Sequence, residues 1–390
     1  MKILYYSPHP HLHLEAPTGY GTHMREMINA WRNMGIEVRT LIAGHSGEGR
    51  YNAPAVAKSM RGIKKFIPAI VWETLKDLQL IRFDSNMEKR LEKAVREFQP
   101  DMIYERAAYL QNSGTKIAKR TATRHVVEFN APYPLERVAM SGKSFLIPTA
   151  RDNERQILIE ANNIVVVSTA LKAHFEKILA GVSAKILVVP NCVNPEKVHH
   201  EPAEVAKLKN HYGLSDHLVI GFVGSIFPYH GVDMLIHAFA QTKNRHLARL
   251  LIVGDGYTLP DLKALAKKLG VHSEVVFTGS VPHREVYLHI DVMAICCLSR
   301  NDWYMSPVKL FEYGLMKKPV VASKTSSVRD VMTADDALLV EENIEQFSNA
   351  LDRLLVDSAL REKLAANWHK KVMENHTWDI AARNILDTCV

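Results

Sequence analysis

Short apolar runs alternate with amphipathic stretches along most of this 390-residue chain. Such alternation is typical of repeated strand–helix units that form parallel sheets. The predicted strands are residues 3–7, 38–43, 102–104, 125–129, 164–168 and 186–190 in the first half, and 219–223, 249–253, 274–277, 292–296 and 319–323 in the second. We therefore predict an α/β chain of two Rossmann-like halves, with a cleft between them as the default ligand site.

A polar, proline-containing segment at residues 197–215 separates the two series of strands. A chain of 390 residues also exceeds the usual size of a single hydrophobic core. We predict an N-terminal Rossmann-like domain over residues 1–195, a C-terminal one over 196–372, and a final helical segment over 373–390.

The formal net charge of +7 favours anionic partners such as phosphates, nucleic acid or an acidic membrane surface. No zinc-finger, RNA-recognition or helix-turn-helix signature accompanies the charge, which argues against a nucleic-acid partner. The sequence has no secretory signal and no apolar run that could span a bilayer. Its 4 cysteines have neither metal-ligand nor disulfide-framework spacing, so we expect a cytoplasmic protein.

Basic residues are concentrated between Lys58 and Arg82, where they interleave with apolar ones such as Phe66 and Trp72. This combination suits a segment that rests on anionic lipid headgroups. The alternative is a solvated helix that packs its apolar face on its own domain. The first interpretation predicts a peripheral protein on the inner face of the membrane.

The run SPVKLFEYGLMKKPVVAS, which begins at Ser306, combines the features of an anion site and a sugar site. Ser306 and Pro307 suit the N-cap and first position of a helix, which leaves the amides of Val308 and Lys309 free. Free amides, the helix dipole and the Lys309 charge attract a diphosphate. Glu312, one turn further, can accept hydrogen bonds from ribose hydroxyls. The run therefore indicates a nucleotide-sugar site, although an ordinary strand–helix unit is the alternative.

This run resembles the donor-binding segment of glycosyltransferase family 4, retaining enzymes of the GT-B fold, in the branch that reads SP-x-KLFEY and then KPVVAS. The Pro-Tyr-His-Gly sequence at residues 228–231 matches the same branch. The resemblance implies two Rossmann-like domains that face a central cleft, the first on the acceptor side and the second on the donor side. It also implies a C-terminal helix that crosses back to the first domain.

The activity that the resemblance implies is transfer of a hexose from a nucleotide-sugar, with UDP favoured by family frequency, to a glycan, lipid-linked or small-molecule acceptor. Most family members carry an Arg and a Lys where this chain has Ser225 and His230, so Lys309 would supply part of the missing charge. Tyr304 replaces a second Glu of the mainstream family. The implied donor-binding residues are Gly19, Gly21, Gly224, Ser225, His230, Gly279, His283, Ser306, Pro307, Val308, Lys309, Leu310 and Glu312.

In the first half, PTGYGTHMREM resembles the family's glycine loop before a helix that starts at Thr22, although a glycine pair alone indicates only a turn. Asn130 stands where the family commonly has a histidine that bonds the donor sugar; the alternative is an Asx-turn. The implied acceptor-side residues are Tyr20, Glu105, Arg106 and Asn130, and the implied catalytic residues are Asn130, His230, Lys309 and Glu312.

Three alternating histidines, His9, His11 and His13, are the sequence's candidate metal ligands. No carboxylate converges on them in the sequence pattern, and the second half has no Asp-x-Asp pair, so we expect neither a metal nor a cofactor. The leaving diphosphate would be stabilised electrostatically, and the acceptor would attack from the same face. A nucleotide-sugar epimerase or hydrolase, or a non-catalytic nucleotide-sugar-binding subunit of a glycan-assembly complex, remains the alternative.

Overall fold

The structure, a computed structural model, describes residues 1–16, 19–44, 67–198 and 200–390, with the backbone alone at His283. The chain divides into two compact units. The N-terminal unit comprises Met1–Val189 and Trp378–Val390, and the C-terminal unit comprises Pro190–Thr377. The domain limits of 1–195, 196–372 and 373–390 stay a prediction.

The N-terminal unit is built on a parallel six-stranded sheet. Its strands are β1 (Lys2–Ser7), β2 (Glu37–Ile42), β3 (Met102–Arg106), β4 (Arg124–Phe129), β5 (Asn163–Val166) and β6 (Ile186–Val188). Its helices include α1 (Gly19–Asn33), α2 (Ala69–Phe98), α3 (Ser113–Thr121), α4 (Tyr133–Ser141), α5 (Ile147–Glu160) and α6 (Thr169–Leu179). The order β2-β1-β3-β4-β5-β6 places a topological switch point between β1 and β3.

The C-terminal unit repeats this arrangement with a second parallel six-stranded sheet. Its strands are β7 (Leu218–Val223), β8 (Ala248–Val253), β9 (Val275–Gly279), β10 (Ile295–Leu298), β11 (Val320–Ser323) and β12 (Leu338–Val340). Its helices include α7 (Pro202–His211), α8 (Val232–Gln241), α9 (Leu259–Lys268), α10 (Val286–Val292), α11 (Val308–Leu315), α12 (Ser326–Arg329), α13 (Ile344–Val356) and α14 (Ser358–Asn375). In the order β12-β11-β10-β7-β8-β9 the switch point lies between β7 and β10, where ligands of open α/β sheets bind.

Strand β10 shows why the strands of this sheet appear in the sequence as continuous apolar runs. Its alternate residues belong to two different cores: Cys296 and Leu298 pack in one layer, and Ile295 and Cys297 pack in the other. A strand buried on both faces carries no polar alternation. The predicted α/β fold class is confirmed, but the predicted strand 292–296 was placed too early, because Val292 still belongs to helix α10.

The last helix, α15 (Trp378–Cys389), belongs to the N-terminal unit. The Trp31 indole of α1 donates to the Ala382 carbonyl oxygen at 3.2 Å, and the His23 ring lies 4.8 Å from the Trp378 ring. Across the described part of the chain, no helix is long and apolar enough to cross a membrane.

Candidate functional site

Helix α11 starts one residue later than the sequence predicted. Pro307, not Ser306, is the N-cap, and its backbone is extended. The Ser306 hydroxyl instead accepts from the Asn191 amide N–H at 2.9 Å, and the Asn191 side chain donates to the Ser306 carbonyl oxygen. The predicted N-cap was therefore wrong. The helix nevertheless begins with uncapped amides, as predicted, because no side chain caps its first N–H groups.

Helix α11 is held from two sides. The Tyr313 hydroxyl accepts from the Val223 backbone N–H at 3.0 Å, at the carboxyl end of β7. On the other side, the Trp368 indole of α14 donates to the Leu310 carbonyl oxygen at 2.8 Å. A Cβ on Gly314 would lie only 2.5 Å from the Trp368 indole nitrogen, so this glycine permits the close approach. These contacts fix the start of α11 relative to the end of β7.

The Lys309 side-chain amine is buried, and no described residue forms an ion pair with it. Its Nζ lies 4.1 Å from the centre of the Phe222 ring, and the residue is only 8% exposed. Within the described part of the chain, Nζ has no hydrogen-bond partner. Burial lowers the pKa of Lys309 to about 7, against an opposing effect of Glu312. When protonated, this amine is placed to bind an anion, because the described residues offer its Nζ no hydrogen-bond acceptor.

Glu312 lies one turn after Lys309 on α11 and is also 8% exposed. Burial raises its pKa to about 7, while Lys309 acts in the opposite direction. No described residue donates a hydrogen bond to its carboxylate. The carboxylate is therefore available to accept hydrogen bonds from hydroxyl groups of a ligand.

His230 ends a short 3₁₀ turn, Pro228–His230, and its ring lies 5.9 Å from that of Phe222. Its Nδ1 is buried and has no partner among the residues described. Burial, with a further contribution from Lys309, lowers the pKa of His230 to about 2. The imidazole is therefore neutral at physiological pH and can donate one ring N–H.

Gly224 makes room for the Lys309 head group. Its φ of +140° is a conformation that residues with a side chain rarely adopt, and a Cβ there would lie 2.6 Å from Lys309 Nζ. The structure thus brings together Gly224, His230, Lys309 and Glu312, as expected, while Ser225 beside them is exposed. Sequence reasoning missed Phe222, whose ring contacts both Lys309 and His230. Its only signal in the sequence is an aromatic residue two positions before Gly224.

The remaining residues predicted for the C-terminal unit have other contacts. Gly279 ends β9 with a φ of +74°, and its carbonyl oxygen accepts from the Gly254 N–H at 3.0 Å. The His283 backbone begins a 3₁₀ turn, His283–Glu285. Tyr304 is buried beside Trp303, with ring centres 5.2 Å apart.

The glycine segment of the N-terminal unit is helical and not a loop. Gly19, Tyr20 and Gly21 form the first turn of α1, so the predicted helix start at Thr22 was wrong by three residues. A Cβ on Gly21 would lie 2.3 Å from the Ala16 carbonyl oxygen. This glycine therefore has a packing reason that is independent of any ligand.

Glu105 and Arg106 were expected to face the cleft, but both belong to β3 and are buried. Glu105 Oε2 lies 2.7 Å from His125 Nε2 and beneath Gly114 of α3. Arg106 Nη1 donates to Glu128 Oε1 at 2.7 Å. The expectation that these two charges meet an acceptor is therefore not supported, because each is paired inside the unit.

Glu128, which the sequence analysis did not single out, organises the end of β4. It accepts hydrogen bonds from Arg106, from the Tyr104 hydroxyl at 2.7 Å and from the Asn130 amide, and His23 Nε2 lies 2.9 Å away. Although burial alone raises its pKa, His23 and Arg106 hold the pKa of Glu128 well below its ordinary value. The Asn130 side chain is thereby fixed in one orientation by a permanent carboxylate.

The three histidines after β1 do not assemble a metal site in this structure. The rings of His9 and His11 lie 5.7 Å apart, and the His11 N–H donates to His9 Nδ1 at 3.1 Å. Burial, His11 and Arg106 lower the pKa of His9 to about 4. Over the described ranges, no group of three or more His, Cys, Asp or Glu side chains is arranged to hold a metal ion.

Two family models match the sequence: Glycosyltransferase Family 4 over residues 17–197, and Glycosyl transferases group 1 over residues 217–357. A GDP-mannose-dependent alpha-(1-6)-phosphatidylinositol monomannoside mannosyltransferase of Mycolicibacterium smegmatis is 27% identical over 242 residues, which cover 60% of this chain and 63% of the relative. A 2-deoxystreptamine glucosyltransferase of Streptomyces kanamyceticus is 32% identical over 136 residues, 34% of this chain and 35% of the relative. The match thus spans a little under two thirds of the mannosyltransferase.

Solved structures share the fold over nearly the whole chain. HepE of Anabaena, crystallised with UDP, has a TM-score of 0.73 at 15% identity and covers 100% of this chain and 99% of its own. Sucrose-phosphate synthase of Thermosynechococcus elongatus has a TM-score of 0.74 at 16% identity, with 99% and 97% covered. Two parallel sheets of this kind, together with the two family matches, show that the chain belongs to glycosyltransferase family 4 and has the GT-B fold.

Proposed function

We propose that the protein is a retaining glycosyltransferase that moves a hexose from a nucleotide diphosphate sugar to a saccharide, lipid-linked or small-molecule acceptor, without a metal ion. The observation that carries this proposal is the buried Lys309 amine at the uncapped start of α11, which has no hydrogen-bond partner among the described residues. Family membership supports the same activity.

The donor diphosphate would bind at the first turn of α11. Amide N–H groups and the positive end of the helix dipole attract an anion there, and Lys309 adds a full charge when protonated. In this proposal these groups would face the negative charge that develops as the nucleoside diphosphate leaves, where fixed donors lower the barrier most. A neutral His230 would donate one further hydrogen bond to the phosphate.

The sugar and ribose would be held by hydrogen bonds. Glu312 would accept from the ribose hydroxyls; a contact of Asn130, which Glu128 orients, with the transferred sugar stays a prediction from the sequence. The bond from the anomeric carbon to the diphosphate breaks, and the acceptor oxygen forms its new bond on the same face. The acceptor proton passes to the leaving phosphate, so this route needs no enzymic nucleophile.

A donor assay tests the proposal. UDP-glucose, UDP-galactose, UDP-GlcNAc and GDP-mannose are each incubated with the protein in EDTA, with and without saccharide and lipid-linked acceptors, and nucleotide release is measured. We expect one donor to be cleaved in EDTA, faster when its acceptor is present. A UDP-sugar is our prediction; GDP-mannose, the donor of the mycobacterial relative, is the competing outcome.

Other results of the same assay would contradict the proposal. Binding without turnover under every condition would favour a non-catalytic subunit, and release that no acceptor accelerates would favour a hydrolase or epimerase. Turnover that requires added Mg²⁺ or Mn²⁺ would overturn the metal-free mechanism.

A surface of the N-terminal unit supports peripheral membrane association. We call it the apolar–basic surface; its exposed apolar side chains are Val71, Leu75, Leu78, Met140 and Phe145. The spacing of the first three places them on one face of α2. A hydrogen bond of 3.0 Å from the Phe145 N–H to the Thr74 hydroxyl brings the second part of the surface beside α2. Residues 58–66 of the predicted basic segment lie outside the described residues.

The charged side chains that this surface exposes to solvent are basic, although one of them is ion-paired. Two nearby acids, Glu73 and Asp77, are shielded from solvent by Arg137, whose guanidinium lies 2.8 Å and 3.1 Å from them. The exposed charged residues of this part of the chain include Lys76, Arg82 and Lys143. Lys76 is paired with Glu73 at 2.8 Å, so the excess positive charge rests on Arg82 and Lys143. Apolar groups interspersed with cations are complementary to an anionic bilayer, which is where a lipid-linked acceptor would reside.

A further inference from the structure

We infer that the protein takes up a proton when it binds the diphosphate of its donor, and that the Lys309 amine is the group that receives it. This inference rests on the proposed function, because it concerns the same site.

The geometry of the free site disfavours a charged Lys309. The residue is more than nine-tenths buried, and the Phe222 ring face 4.1 Å from Nζ, a cation–π contact that favours the charged form, offsets only part of the lost hydration. A protonated amine needs hydrogen-bond acceptors to replace its lost hydration, and the described surroundings offer Nζ none. The neutral amine is therefore well populated at neutral pH, in agreement with a pKa that burial lowers to about 7.

The groups that face Lys309 do not change this conclusion. Glu312, on the same helix, has a pKa raised to about 7 by burial, so it offers only part of a compensating charge. From the turn after β7, His230 is uncharged, because burial and Lys309 lower its pKa to about 2. Strand β7 contributes the Phe222 ring, whose face favours the charged amine but accepts no conventional hydrogen bond, and Gly224 contributes no side chain.

A bound diphosphate would reverse the balance. An anion within hydrogen-bond reach of Nζ favours the charged amine and raises its pKa. Since a group with a pKa of about 7 is half deprotonated at pH 7, binding would draw up to about half a proton per ligand from solution. An arginine at this position would give none, because its guanidinium is protonated at all accessible pH values.

Calorimetry of UDP and GDP binding at pH 7.0 tests the inference. The binding enthalpy is measured in buffers of different ionisation enthalpy, and the slope gives the number of protons taken up. We expect about half a proton for the wild type and for the exposed control Lys268→Arg, and a slope near zero for Lys309→Arg. Equal slopes in the wild type and Lys309→Arg would overturn the inference.

A Glu312→Gln variant separates the two titratable groups. If Lys309 receives the proton, uptake persists in this variant, because loss of the carboxylate leaves more of the amine neutral before binding. Uptake that disappears in Glu312→Gln and remains in Lys309→Arg would assign the proton to Glu312 and refute our assignment.

The wild type alone provides a second measurement, which does not depend on any variant folding. Above pH 7 the phosphate groups of free UDP have completed their ionisation, whose pKa is about 6. The dissociation constant should then rise about tenfold between pH 7.5 and 8.5 if binding requires one proton. A constant value would contradict the inference while leaving the proposed function intact. Failure of both nucleotides to bind would overturn the proposed function and, with it, this inference.

Discussion

Lys309 and Glu312 lie one turn apart on the same helix, both buried and neither with a hydrogen bond from a described residue. Two such groups cost stability in the free protein, because each loses hydration that nothing replaces. Buried charged side chains that serve only the stability of a fold have hydrogen-bond partners, as Glu128 has. The pair is therefore best explained by a ligand that completes it.

Lys309→Ala and Glu312→Ala should each lower donor turnover at least a hundredfold, because one removes charge from the leaving group and the other removes an acceptor for the ribose. Turnover of the preferred donor and circular dichroism check this, with the exposed Lys268→Ala as the control. If both site variants retain activity, the site proposed here is wrong.

Removing Lys309 should also stabilise the fold, more at low pH than at high pH. The pKa of this amine is about 7 in the folded chain and near 10.4 in the unfolded chain. Between these values the unfolded chain binds more protons, so the stability of the wild type rises with pH over this range. Lys309→Met should therefore raise the free energy of unfolding by on the order of 1–3 kcal/mol at pH 6.5 and by less at pH 9.5. Chemical denaturation at the two pH values measures the difference; an equal effect at both would contradict the burial argument.

Sequence reasoning found the residues whose roles are local. Lys309 and Glu312 are three positions apart on a predicted helix, and helical geometry alone places them on one side. It could not find Phe222, because its partner Lys309 lies 80 or more positions away in the sequence. It could not find Glu128, because its partner Arg106 lies on a neighbouring strand. It also predicted Ser306 as the N-cap of helix α11. The Ser306 hydroxyl instead accepts a hydrogen bond from the backbone N–H of Asn191, 115 positions away.

At the scale of elements, the loop after β7 and the start of α11 form one structural unit. Tyr313 bonds to the end of β7, and Gly224 of the following loop accommodates the head group of Lys309. A change in the loop is therefore transmitted directly to the helix.

Gly224→Ala should weaken nucleotide binding at least tenfold and lower stability by about 1–2 kcal/mol, because an alanine is strained at this φ and displaces the Lys309 amine. The matched control is Gly270→Ala, where φ is +71° but nothing lies within 4 Å of a new Cβ. Calorimetric affinity for UDP or GDP and urea denaturation distinguish the two effects. Equal affinity in both variants would show that the loop does not position Lys309.

The elements themselves were predicted with small errors where the apolar pattern was bounded by polar residues. The final helical segment was predicted over 373–390, and helix α15 spans Trp378–Cys389. Strand β12, by contrast, was missed, because its three residues, Leu338–Val340, are too short to show any period. Gly19 and Gly21 were placed in a loop because the segment resembles the family's glycine loop, whereas both lie in helix α1 and Gly21 is required by its contact with Ala16.

At the scale of the whole molecule, the parallel sheets followed from the repeated strand–helix pattern, and the strand orders match the doubly wound expectation. No comparable sequence pattern predicts the identity of the acceptor. The apolar–basic surface is the one observation on the described residues that bears on its class.

The full chain should bind vesicles that contain anionic lipid, and binding should fall as salt rises, because the cations of the apolar–basic surface are screened. Leu75→Ser with Phe145→Ser should reduce vesicle binding at least fivefold. Val356→Ser, an equally exposed position in the C-terminal unit, should not. Co-sedimentation with neutral and anionic vesicles measures this.

Equal binding to both kinds of vesicle, or binding insensitive to salt, would contradict the electrostatic part of that proposal. A change in oligomeric state in Leu75→Ser with Phe145→Ser would instead identify the apolar–basic surface as a contact between protein chains.

Helix α15 has a consequence for the order in which this protein forms during synthesis. It provides the acceptor for the Trp31 indole and a ring against His23, and the Cys389 carbonyl oxygen accepts from the Arg124 guanidinium at 2.6 Å. These partners emerge from the ribosome only after every residue of the C-terminal unit. The N-terminal unit, although begun earlier, therefore cannot be completed before the whole C-terminal unit has been synthesised.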